Sequence, residues 1–246
     1  MNQELDINFE PDLPEWAKQI AVFDLETTGL VLSEARIVSA CALELDHRGE
    51  VLGKNLEWLA NPGIPIPIEA SSVHGITTEI AQQKGAPANE VVAEIIETLT
   101  GFFSRGLPVV AYNAPYDFTI LHYEALRYGL EPLKLGSVID PLVIDKYKDK
   151  YRKGKRRLEN AAEFYKVKLS DAHNATADAI AAGQVAQAIA RRFAADLPES
   201  LGALHANQAI WSQELDADFE AYMKRSVNPD YKAVRGWPLK LDSEAS

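Results

Sequence analysis

Asp24 and Glu26 stand two apart in the segment VFDLETTG. Residues two apart on a strand point to the same face. The apolar run before them, QIAVFDL, reads as a buried strand, so the two carboxylates lie side by side at its end. Neighbouring carboxylates repel each other, and a bound cation would relieve the repulsion; a pair of solvated acids is the plainer alternative. The strand stops at Thr27-Thr28-Gly29, which leaves backbone N–H groups there to meet a ligand. A second group lies in AYNAPYDF, where Asn113 ends a strand, Pro115 falls in a first helical turn and Asp117 follows. That position is the carboxyl edge of the sheet, where open α/β sheets bind ligands. An acid favoured by the helix dipole, with Asn113 as an ordinary turn residue, fits the same letters. The third group is DAHNATADAIAA. His173 and Asp178 would differ by about 140° in direction on one helix. The economical arrangement puts His173 in the loop before the helix and Asp178 on its inward side, with Asn174 or Asp171 as cap. Taken alone, His173 reads equally as a surface histidine near a helix start.

Together these segments supply four carboxylates and one imidazole. Carboxylate oxygens are hard ligands suited to Mg²⁺ or Mn²⁺. Two such ions about 4 Å apart would neutralise the acids and clamp the attacking and leaving oxygens of a phosphodiester. A neutral histidine titrating near neutrality suits a general base for the attacking water. A single cysteine and the absence of HExxH argue against zinc. There is no GxxxxGK[ST] loop, no GxGxxG after a strand and no GxSxG elbow, which argues against P-loop, Rossmann and serine-hydrolase readings.

The chain has 246 residues, 47% hydrophobic and 25% charged, enough for one large domain with an appendage and a core of its own. No apolar run approaches the ~20 residues that span a bilayer. The opening MNQELDINFEPDLPEW lacks a basic, apolar leader pattern. The expectation is a cytoplasmic protein with no membrane partner and with Cys41 as a small buried hydrophobe. The net charge of −11 excludes a general basic coat for nucleic acid. Residues 145–157, DKYKDKYRKGKRR, nevertheless hold eight Lys/Arg against two Asp. That run is either a solvated loop or a track for a phosphate backbone.

The elements needed to position these groups can be read from periodicity. Strands are expected over 19–25, 36–46 and 51–59, the last two joined as a hairpin through HRGE. Residues 60–70, with three prolines, are expected to be an extended loop. A helix is expected over 88–103, a strand over 108–113, a helix ending at Gly129 and a short strand over 137–141. Helices follow over 141–150, 157–166 and 174–194. Leu201, Leu204, Gln208, Trp211, Leu215, Phe219 and Tyr222 form one helical stripe, either packed on the domain or offered to a partner. The segment around Trp237 and Pro238 reads as an irregular docked strap. The alternation predicts an α/β sandwich with a mixed sheet.

DLETTG, then NAPYDF, then H-x4-D resembles the DEDD exonuclease superfamily. The histidine five residues before the last aspartate is similar to the DEDDh branch, that of the proofreading ε subunit of bacterial DNA polymerase III. The resemblance covers roughly 17–193 and implies a ribonuclease H-like three-layer fold with a five-stranded mixed sheet flanked by helices. The division it suggests is a lead-in at 1–16, an exonuclease domain at 17–193 and a helical C-terminal extension at 194–246. It implies two divalent cations, Mg²⁺ or Mn²⁺, held by Asp24, Glu26, Asp117 and Asp178, with His173 as the base that activates water. It implies 3′→5′ release of nucleoside 5′-monophosphates from single-stranded 3′ ends, DNA rather than RNA in the leading reading. Trimming of RNA and a catalytically silent nucleic-acid-binding module are the alternatives. In similar proteins EASSVHGIT walls the pocket of the terminal nucleotide, so Glu69 and His74 join Thr27 and Asn113 as candidate substrate contacts. His74 reads equally as a structural hydrogen-bonder. Of Tyr116 and Phe118, one is expected in the core and the other as a stacking wall. Nothing in 194–246 resembles a polymerase-binding module, so a polymerase partner is unsupported and a stand-alone exonuclease is the reading.

Overall fold

The computed structural model describes residues 12–169 and 174–241. The chain opens with a short helix α1 (Glu15–Lys18) and a meander of β1 (Ile20–Thr27), β2 (Ile37–Leu45) and β3 (Val51–Asn61). It continues through α2 (Ile68–His74), α3 (Thr78–Lys84), β4 (Ala86–Pro87), α4 (Ala88–Ser104), β5 (Val109–Val110) and α5 (Ala114–Arg127). Then come β6 (Val138–Ile139), α6 (Pro141–Lys148), α7 (Leu158–Phe164), α8 (Ala175–Arg192) and the long α9 (Leu201–Ser226). The strand order is β4-β3-β2-β1-β5-β6. β1 runs antiparallel to β2 and parallel to β5, so the mixed sheet is as expected.

The sheet has six strands and not the expected five. The extra one is β4, two residues paired in parallel with the end of β3. Two residues ending in proline carry no strand period, so the sequence pattern is silent there. Residues 60–70 are likewise not wholly extended. Pro67 serves as N-cap, a position that needs no backbone N–H, and α2 begins at the next residue. Leu13 and Trp16, counted with the lead-in, are buried against the core, and the Trp16 indole donates to the Pro198 carbonyl at 3.1 Å.

Alternation along β1 divides the core into two layers. Ile20 and Val22 face α6, α7, α8 and α9, together with Cys41, which is buried as expected. Ala21, Phe23 and Leu25 face α4 and α5. α8 lies very close to the sheet because Gly183 has no side chain: a Cβ there would sit 2.5 Å from Leu45 Cδ1 and 2.6 Å from Val22 Cγ1.

β6 is an edge strand, and α9 covers its open edge with side chains. His205 Nδ1 accepts from the Val138 N–H at 3.0 Å, Gln208 Oε1 from the Asp140 N–H at 2.6 Å, and Gln208 Nε2 donates to the Val138 carbonyl at 3.1 Å. These bonds satisfy groups that a further strand would take. The stripe on α9 therefore splits. Leu204, Gln208 and Trp211 are buried, while Phe219 and Tyr222 are about half exposed. The strap docks as expected: Trp237 packs 4.9 Å from the His205 ring, and the Lys240 N–H donates to Thr119 Oγ1 at 2.9 Å.

Candidate active site

β1 is the central strand, and its even-numbered residues face α8. Asp24 and Glu26 continue that face past Ile20 and Val22, so their carboxylates point toward the start of α8. Asp178 lies in the first turn of α8, below a cap in which Asn174 Oδ1 accepts from the N–H groups of Thr176 and Ala177. One ligand oxygen from each of Asp24, Glu26 and Asp178 lies within 4.8 Å of the others. The sequence reading required this juxtaposition, across about 150 residues of chain.

Asp117 enters from the opposite layer. β5 pairs with β1 only at Ala21–Val109 and Val22–Val110, so β1 loses its parallel neighbour before its end. The Leu25 N–H, freed there, donates to Asp117 Oδ1 at 3.0 Å. Asp117 is buried, outside the close three-residue cluster but near enough for its charge to act on Asp24. The sharp turn from β5 into α5 is made by Asn113 in the left-handed region, φ 67°. The buried Asp140 carboxylate fixes that turn, accepting from the Asn113 and Ala114 N–H groups at 3.0 Å each.

Crowding raises the affinity of these acids for protons. Asp24 is held well above the usual carboxylate range by burial first, then by the charges of Asp117, Glu26 and Asp178. Glu26 is pushed up to about 8 by burial and by Asp178. Burial also raises Asp117, against the pull of the Leu25 N–H. Asp140 is pushed up to about 6 by burial, while the N–H groups it accepts act in the opposite direction. A cation bound among these acids would offset their mutual repulsion and favour their ionised forms. All the clustered donors are carboxylate oxygens, which fit Mg²⁺ or Mn²⁺.

Glu26 titrates near 4.5 when unfolded and near 8 when folded, so the metal-free fold holds the extra proton between those values. Stability of the metal-free protein therefore falls as pH rises through that window. Thermal melts in chelator are expected to show a falling midpoint from pH 5 to pH 8, with saturating Mn²⁺ restoring more at pH 8 than at pH 5. Equal restoration at both would contradict it.

Beside Glu26 lies a cavity of about 360 Å³ lined by Thr27, Thr28, Gly29, Leu30, Glu69, Val73, His74 and Tyr116. Two of the predicted contacts, Glu69 and His74, thus share one cavity with Thr27, because α2 presents them across from the end of β1. His74 Nδ1 accepts from the Ile76 N–H at 3.2 Å, and burial lowers its proton affinity, which favours the neutral ring. The Tyr116 hydroxyl bonds to Thr27 Oγ1 and donates to the Gly29 carbonyl at 3.0 Å. Phe118 is in the core, its ring tilted against Phe23 at 5.7 Å, and Tyr116 lines the cavity, which matches the expected division of the two. Asn113 is not in this cavity. Its left-handed turn sets it in a separate one with Asp140, Lys146 and Lys240. His173 lies outside the described residues. Asp140 escaped the sequence reading, although an aspartate between a strand and a Pro-initiated helix is an N-cap signal.

A family model described as Exonuclease (RNase_T) matches residues 21–186. The chain is 31% identical over 128 residues to a DNA polymerase III subunit epsilon from Rickettsia conorii, covering 50% of this chain and 52% of that one. It is 30% identical over 168 residues to a PolC-type DNA polymerase III from Caldanaerobacter subterraneus, covering 68% of this chain and 11% of that one. The chain thus spans about half or less of these relatives. A solved structure of E. coli exonuclease I in complex with a dA16 oligonucleotide superposes with TM-score 0.59 at 21% identity, over 69% of this chain and 40% of that one. At that identity the likeness is one of fold.

Proposed function

We propose that this chain, which belongs to the RNase_T exonuclease family, is a metal-dependent 3′→5′ exonuclease that acts on single-stranded DNA ends and releases nucleoside 5′-monophosphates. The observation that carries the reading is the convergence of Asp24, Glu26 and Asp178 within 4.8 Å, next to a cavity of nucleotide-pocket size. The DNA preference is supported by the relatives, whose names include DNA polymerase III subunit epsilon and exonuclease I with dA16 and with dT13, and the polarity by the resemblance of the motifs.

In this reading Asp24, Glu26, Asp117 and Asp178 hold two cations. When bound, such ions polarise the phosphodiester and lower the pKa of a coordinated water. The chain's own residues do the rest. The cavity bounded by Glu69, His74 and Tyr116 holds the terminal nucleoside, with the Thr27 backbone at its sugar edge. His173 accepts the proton of the attacking water at a ring nitrogen.

The test is a nuclease assay on end-labelled single- and double-stranded DNA and RNA, with Mg²⁺, Mn²⁺ and chelator. Stepwise shortening of 5′-labelled DNA from its 3′ end, abolished by chelator, is expected. Oligonucleotides left whole in Mn²⁺ would end the proposal, and faster loss of RNA would transfer it to that substrate. His173→Ala is expected to lower turnover by about 10²- to 10⁴-fold with the Mn²⁺ requirement unchanged. Parallel loss of both would make His173 a ligand.

A further inference from the structure

Seven of the eight cations of 145–157 fall into two populations, and the eighth, Lys146, lines the cavity with Asn113 and Asp140. Arg152 and Arg156 turn inward onto Asp145, whose side chain is fully buried on α6. Arg152 Nη2 lies 2.5 and 2.6 Å from the two Asp145 oxygens, and Arg156 Nη1 lies 2.6 Å from one of them. The Tyr165 hydroxyl donates to the same carboxylate at 2.6 Å, and the Arg152 guanidinium stacks 3.9 Å over the Phe164 ring. Lys148 donates to the Asp196 carbonyl, and Lys150 pairs with Asp218. Those four cations are committed to holding the loop.

Lys153, Lys155 and Arg157 point the other way. They occupy alternate positions, are exposed, and form no ion pair among the described residues. Tyr151 beside them is 90% exposed, the most exposed large side chain with an apolar body in the described chain. The loop that carries them is tied to the catalytic edge of the sheet: the Tyr112 hydroxyl donates to the Arg156 carbonyl at 2.8 Å, and Tyr112 adjoins the turn leading to Asp117. A loop this firmly anchored spends no entropy on being ordered by a ligand.

We infer that Tyr151, Lys153, Lys155 and Arg157 form a rigid guide for the single strand upstream of the scissile bond, the cations on successive phosphates and Tyr151 against a base. The inference rests on the nuclease reading above. An aromatic face with cations along a backbone is the usual chemistry of sequence-tolerant single-strand binding. It makes the internal knot and the external track two functions of one charge run.

The test uses the full chain with Lys153, Lys155 and Arg157 all changed to Ala, and separately Tyr151→Ala and Tyr151→Phe. Two substrates are compared: a long single-stranded DNA and thymidine 5′-p-nitrophenyl phosphate, which has no upstream strand. The triple variant is expected to lose about tenfold or more in kcat/KM on the oligonucleotide at low salt. Its log–log salt slope should flatten by about 2, three phosphate contacts at about 0.7 each. Hydrolysis of the small ester should stay within about twofold of the unaltered protein. Tyr151→Ala should lower kcat/KM on the oligonucleotide about fivefold, and Tyr151→Phe should retain it. Unchanged oligonucleotide kinetics and salt slope, with the ester still hydrolysed, overturn the guide and spare the nuclease. If the unaltered protein cleaves neither substrate, the nuclease reading fails and the guide fails with it.

Discussion

Asp24→Asn is expected to reduce metal-dependent nucleotide release about a thousandfold or more, equivalent to about 4 kcal/mol of transition-state stabilisation. The same substitution should raise the melting temperature of the metal-free protein. Both effects come from one location. Asp24 is buried and feels the charges of Asp117, Glu26 and Asp178 together, so it is the acid that a cation held in this cluster would relieve most. Without cations the same proximity is only repulsion, and an uncharged amide of equal shape removes it. The measurement pairs a 3′-end assay with thermal melts in chelator and in Mn²⁺. The unaltered protein should gain stability on adding Mn²⁺ and Asp24→Asn should not. Wild-type turnover in the variant, or an undiminished Mn²⁺ response, would remove Asp24 from the site. A variant merely damaged in folding would melt lower in chelator, not higher, so the sign separates the two explanations.

Asp145→Ala is expected to cost about 3–5 kcal/mol of stability, read from denaturant unfolding. The carboxylate is inaccessible, and the side chains of Arg152 and Arg156 are only 13% and 10% exposed. Removing the acid leaves the Arg156 guanidinium and the Tyr165 hydroxyl in a poorly solvated place without their carboxylate, and Arg152 with Asp149 alone. The size of the effect lies in the orphaned partners more than in the net value of the pair. Asp145→Asn, which keeps the shape and can still accept hydrogen bonds, should cost less. A loss below about 1 kcal/mol for the alanine variant would mean that water replaces the carboxylate and that the loop is not locked.

Much of the site was legible because strand periodicity is strict. Once QIAVFDLET is a strand, Asp24 and Glu26 must share a face, and the structure adds only that α8 covers it. The inward place of Asp178 follows from helix geometry, and Gly183 is what lets α8 approach the sheet. Asp117 was placed at the correct edge, but its bond to the Leu25 N–H was not foreseeable, because it depends on β5 ending after two residues. Short elements were the general weakness. β4, α2 and α3 span two or seven residues, too few to display a period. The basic run stays ambiguous in the sequence, between a solvated loop and a phosphate track, because a charge count carries no direction. Only the fold shows that Asp145, Arg152 and Arg156 meet while Lys153, Lys155 and Arg157 do not join them. Asn113 reads from the sequence as a candidate substrate contact or as an ordinary turn residue; the structure sets it in a left-handed turn that lines a cavity with Asp140 and Lys146.

Asp140 answers to the far end of the molecule. Gln208 accepts its backbone N–H, and the Trp237 indole donates to its carboxylate at 3.3 Å. The same carboxylate clamps the turn that sets Asp117. A fragment excised after Arg192 would keep Asp24, Glu26, Asp117 and Asp178, yet strip away both of these props. Minimal versions of the domain cannot therefore be designed by following the candidate ligands alone: the stretch beyond Arg192, which carries none of them, works as scaffolding for what precedes it.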